Sequence, residues 1–230
     1  MMFLEIGIYS EHIEQLSIEL AKDIHADELY LKLYRHHLLI PAKKRKSPFS
    51  FRRMFRPEGQ APMNIDVHFA WRGKIILYNK LIERNNITSN EKIVGLYKII
   101  IEQWLEFLNQ HQSKIIDQLK KDYATDIEKY QGISKNLSRV LNDKDEAIVD
   151  FDYYIKIRDI LELFLIGVES ELPKLDFRTP IIGIDHEIKP FIMDELVPFI
   201  RKEHLNKPHD IIALTNLQWL PEYFWWRHLS

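Results

Sequence analysis

Apolar residues recur at spacings of three and four through most of the chain, the period of helices that bury one face. Ile13, Leu16, Leu20 and Ile24 predict a first helix, with Ser10 as its N-cap and Glu11 and Glu14 in its first turn. Leu29, Leu33 and the pair His36/His37 predict a second, ending near Ile40–Pro41. Ile93, Tyr97, Ile100, Trp104 and Phe107/Leu108 then form a strong stripe, preceded by the capping residues Thr88, Ser89 and Asn90. The same phase resumes at Ile115/Ile116, Leu119, Tyr123, Ile127 and Tyr130. Residues 91–130 are therefore one long helix, or two with a break near His111–Ser113. Residues 133–150 are polar, with a short helix and a turn at Asn142-Asp143. A further helix carries Ile157, Leu161, Phe164, Val168 and Leu172, and Pro173 stops it.

Two stretches depart from that period. Ile65, Val67, Phe69 and Trp71 alternate with Asp66, His68 and Ala70, which predicts a strand turning at Arg72-Gly73 and followed by a helix over 74–84. Residues 174–190 read as irregular or strand-like, through Leu175-Asp176-Phe177 and Ile181–Ile184. A helix is expected to start at Pro190, a favoured first position, and to run towards His204 with a disturbance at Pro198. The expected architecture is mainly α, an irregular multi-helix bundle with a small β element near residues 65–71. It is read as one domain over residues 1–230, with a basic Pro-rich insertion at 41–62.

Composition narrows the chemistry. The chain of 230 residues has no Cys, which excludes disulfides, Cys-ligated zinc, iron–sulfur clusters and a Cys nucleophile. Its seven Gly make no phosphate-cradling loop and no dinucleotide fingerprint, and no cofactor is expected. Glu5 interrupts the apolar N-terminus, no basic residues precede it, and no window has the apolar length of a membrane span. The expected location is the cytoplasm.

Net charge is −2, but it is unevenly spread. Residues 1–40 carry three basic and seven acidic side chains, and residues 41–84 carry eleven basic and three acidic. The excess centres on Lys43, Lys44, Arg45, Lys46, Arg52, Arg53 and Arg56, interleaved with Phe49, Phe51 and Phe55. Such a segment suits an acidic protein partner, an anionic membrane surface, or nucleic acid whose bases stack on the Phe rings. The leading expectation is a non-enzymatic interaction protein (adaptor, inhibitor or immunity-type) that binds a macromolecular partner. Nucleic-acid binding through 43–56 is the alternative.

A third reading is a metal-dependent nuclease. Asp176 and Glu187 on neighbouring strands would hold a divalent cation, and Lys189 would stabilise the attacking water. Pro190 counts against it, being awkward in a central strand. The His209-Asp210 pair lacks the downstream Asp that a phosphohydrolase site needs. The C-terminal run Trp219, Tyr223, Phe224, Trp225 and Trp226 either anchors an interface or folds back on the helical body, with the second favoured because an ordered terminus must be tied down.

Overall fold

The computed structural model describes residues 6, 8, 15–39, 65–87, 91–137, 144–204 and 220–229. Among the described residues six α-helices follow one another: α1 (Leu16–Leu39), α2 (Ile65–Arg84), α3 (Glu91–Leu137), α4 (Lys144–Glu171), α5 (Arg178–Phe191) and α6 (Val197–His204). A 3₁₀ turn, Trp225–Arg227, lies near the end of the described chain, and no strand occurs among the described residues. The mainly α class expected from the sequence holds. The basic segment 41–62, the turn at Asn142-Asp143, the caps at Ser10 and at 88–90, and the 209–214 stretch lie outside the described residues.

The small β element does not form: Ile65–Trp71 is the start of α2. Alternation marks a strand only when the intervening polar residues face water. Here every residue from Ile65 to Ile75 is buried, Asp66, His68, Arg72 and Lys74 included. Polar positions lie inside together with the apolar ones, so the first three turns of the helix are enclosed on all sides and its sequence loses the one-sided stripe of a surface helix.

Two glycines allow this enclosure. A Cβ on Gly73 would lie 1.7 Å from the Leu163 carbonyl oxygen, and one on Gly167 would lie 2.1 Å from the Phe69 carbonyl oxygen. The α2 and α4 backbones thus touch directly, each glycine opposite the other helix's carbonyl. Helix α1 packs on α2, and α3 lies across α1, α2 and α4. Aromatic rings fill the junctions: Trp104 meets Phe69 edge-on at 5.5 Å between centroids, and Tyr123 stacks on Phe164 at 5.7 Å.

Helix α1 is continuous where two patterns had suggested two helices. Helix α3 carries the expected break, with His111 at φ −129° and ψ 18°. The strand-like reading of 174–190 is overturned by α5. Asp176 starts that helix by accepting hydrogen bonds from the backbone N–H groups of Arg178 (3.1 Å) and Thr179 (3.0 Å). Pro180 sits in its first turn, where a missing N–H costs nothing. Pro190 is inside α5 and does not begin the next helix. The disturbance expected at Pro198 is a π-helical turn, Ile192–Leu196, immediately before it. Pro198 has no N–H for the carbonyl four residues back, and the Val197 N–H reaches Ile192 O five residues back.

Candidate functional site

The polar side chains of the core gather in two clusters. The first lies where α1, α2, α3 and α4 meet. Asp23 and Asp27, one turn apart, put two carboxylates on one face of α1; His68 and Arg72 stand in the same relation on α2. Lys74 Nζ lies 3.2 Å from Asp23 Oδ1. His68 Nδ1 lies 2.9 Å from Asp27 Oδ1, at ion-pair distance but outside hydrogen-bond geometry. Arg72 Nη1 is 3.5 Å from Asp27 Oδ2, its Nε donates to Glu171 Oε1 of α4, and its Nη2 is in ion-pair contact with the same oxygen. Trp104 of α3 donates its indole N–H to the other Glu171 oxygen.

Solvent hardly reaches this cluster. His68 and Asp27 are fully buried, and Arg72 is 2% exposed. The Trp104 ring stands 4.3 Å from the His68 ring, and the Arg72 guanidinium is 5.6 Å from the Trp104 centroid, so one indole packs against both side chains. Burial pushes the Glu171 carboxyl above the usual carboxylate range, against the opposing charges of Arg72 and His68. Burial likewise pushes Asp23 up to about 6, despite Lys74 beside it. At the start of α2, burial and then a hydrogen bond with Asp126 hold Asp66 well above that range, while Asp122 accepts the Ile65 N–H at 3.0 Å.

The second cluster joins α3, α4, α5 and the C-terminal segment. Arg158 of α4 grips Asp185 of α5 through Nε (3.0 Å to Oδ2) and Nη2 (2.9 Å), and also reaches Glu162 at 3.0 Å. Tyr130 donates to Asp185 and shares a hydroxyl contact of 2.9 Å with Tyr154. Arg178 ties Glu162 (2.8 Å) to Glu169 (2.6 Å). The chain then returns along α4. Trp226 donates its indole N–H to Asp159 Oδ1 at 2.8 Å, and Arg227 Nη2 donates to Asp159 Oδ2 at 2.5 Å. The Arg158 guanidinium lies 3.8 Å from the Trp226 ring centroid. Phe224 and Trp226 are fully buried, so this part of the C-terminal run folds back on the body, with Tyr223 left half exposed and Trp219 outside the described residues.

The residues singled out from the sequence fall differently. Lys43, Lys44, Arg45, Lys46, Arg52, Arg53 and Arg56 lie outside the described residues. Asp176 is engaged at the start of α5, where backbone N–H and hydroxyl donors from Thr179 lower its pKa. Glu187 and Lys189 are exposed on α5, about three to four turns further on, and Lys189 Nζ lies 5.0 Å from the Trp225 ring centroid. The neighbouring strands that would bring the three together are one helix and its leading turn. Among the described residues no group of three His, Asp or Glu is disposed to hold a metal ion.

Sequence reasoning missed Asp27, His68, Arg72, Glu171 and Asp159. The one local signal was the i, i+4 pairing on α1 and α2, which shows only once residues 65–71 are taken as helix. No family model, curated protein or solved structure matches the chain.

Proposed function

We propose that the protein is a non-enzymatic interaction protein, an adaptor, inhibitor or immunity-type factor of the cytoplasm, that binds an acidic protein partner through its basic 43–56 segment. The observation that supports this is how the cations are divided. Arg72 and Lys74, which contribute to the basic excess of residues 41–84, are matched inside the body by Asp27, Glu171 and Asp23. The residues between α1 and α2 hold seven basic side chains and one acidic, Glu58. A local field of one sign beside a net acidic remainder steers association with an oppositely charged surface and sets its salt dependence. Among the described residues no helix is long and apolar enough to cross a membrane.

Affinity purification of the full chain from its native cells, with and without nuclease digestion, tests this reading. The expected result is a protein that stays bound after digestion, elutes as salt rises, and is lost when Lys43, Lys44, Arg45, Lys46, Arg52, Arg53 and Arg56 are all changed to Gln. Release of all bound material by nuclease would assign the segment to nucleic acid, as Phe49, Phe51 and Phe55 would allow. Absence of any bound partner at low salt would overturn both.

A further inference from the structure

Among the described residues the first buried cluster has an unequal count of fixed charges. Asp27 and Glu171 supply two carboxylates, and Arg72 supplies the one guanidinium that meets both. The neighbouring cation Lys74 faces Asp23 one turn away. From α3 the cluster is faced by the Trp104 indole and by the Tyr97 hydroxyl, whose pKa burial pushes up to about 12, so neither adds a positive charge. The remaining group is His68, whose Nδ1 meets Asp27. A buried charge without a counter-charge is strongly destabilising, and the cluster is neutral only when it carries one more proton than its carboxylates and guanidinium supply.

We propose that the crossing of α1, α2 and α4 is a proton-binding site, filled when one proton is shared within Asp27, His68 and Glu171 and emptied, with loosening of the crossing, as pH rises. The proton belongs to the cluster and not to one residue, because the groups lie in contact through Arg72 and Asp27. In the unfolded chain the carboxyls have lost their protons by about pH 5 and an ordinary histidine loses its own near about 6.5. The folded cluster keeps its proton to higher pH, so the folded state binds more protons than the unfolded one. Stability from this site is therefore fully present below about pH 6.5 and is lost as pH rises beyond it. The upward displacement of Glu171 has the same sign.

Urea unfolding of the full chain between about pH 6 and pH 8.5 tests the site. One linked proton lowers the folding constant by up to about tenfold per pH unit in the upper part of that range. His68→Gln removes the imidazole. Glu171→Gln removes one negative charge, so that Arg72 alone balances Asp27. Glu171→Gln is expected to flatten the slope and His68→Gln, which leaves the proton to a carboxyl, to move the onset of the loss down towards about pH 5, while His25→Gln, at an exposed position of α1, leaves it unchanged. An equal slope in the wild type and in Glu171→Gln would overturn the proposal. Should Glu171→Gln not fold, the wild type decides: stability that does not fall between about pH 6.5 and pH 8.5 overturns it, and a fall supports it.

Discussion

The crossing built around Arg72 and the C-terminal clamp built around Asp159 use the same chemistry, a guanidinium and a carboxylate sealed from water beside a Trp that donates its indole N–H. They differ in stoichiometry and in span. At the clamp one carboxylate meets one guanidinium, with Nε and Nη2 of Arg227 both facing Asp159. At the crossing one guanidinium serves carboxylates from two other helices, and a histidine completes the set. A balanced pair fastens a segment and nothing more. An unbalanced set ties three helices together and makes their fit depend on a proton. Neither gains much stability from attraction alone, since desolvation offsets it; what both impose is a heavy penalty for any arrangement that separates the partners.

The comparison can be broken most forcefully at the clamp. Asp159→Ala leaves the Arg227 guanidinium and the Trp226 indole N–H buried without their acceptor. Chemical denaturation should show a loss of about 3–5 kcal/mol. Asp159, Trp226 and Arg227 include no histidine, and the neighbouring His228 is turned to the Pro221 carbonyl, so that loss should be the same at about pH 6 and about pH 8. A cost that grows or shrinks across that range would erase the distinction between the clusters.

Gly73→Ala attacks the other region without touching a charge. The added methyl group meets the Leu163 carbonyl, a backbone atom that cannot swing away, so α2 must lift from α4 and carry Arg72 from Glu171. The expected loss is about 3 kcal/mol by denaturant titration, at the upper end for overpacking. Amide exchange should quicken first along α2 and α4, with protection at Trp225–Arg227 the last to fall. A uniform loss of protection would show that the two regions are one cooperative unit.

The smallest effect is expected at Asp176, which lies outside both clusters. Asp176→Ala should leave the unfolding midpoint nearly unchanged and speed exchange of the Arg178 and Thr179 amides, which lose their acceptor. Because those donors lower the carboxyl's pKa, the protection is present above about pH 4 and is lost as pH falls through the lower folded value. Arg178 and Thr179 amides that exchange as fast in the wild type as in Asp176→Ala at about pH 6, after correction for intrinsic rates, would contradict the assignment.

Much of the helical framework was legible because its apolar stripes face one way. The break at His111 showed as a gap between two in-phase stripes, and Pro173 stopped α4 within two residues of where it ends. Helix α2 was illegible for the opposite reason: with polar residues paired inside, its every-other-residue pattern carried no information about water. Helix α5 was missed because Pro180 and Pro190 read as breakers, whereas one occupies a tolerant first turn and the other is accommodated near a π-helical turn. The crossing could not be found by spacing. Arg72 is 45 residues from Asp27 and 99 from Glu171, and only the close approach of α2 to α4 at Gly73 and Gly167 brings them together.

That Arg72 is the keystone of the helical body is tested most directly by urea unfolding of Arg72→Met. Methionine keeps much of the side chain's volume and removes the charge, so Asp27 and Glu171 are left buried without the cation between them. The account predicts a loss of about 3–5 kcal/mol, most of it recovered when Asp27→Leu and Glu171→Met are added to the same chain. A single variant within about 1 kcal/mol of the wild type would contradict it.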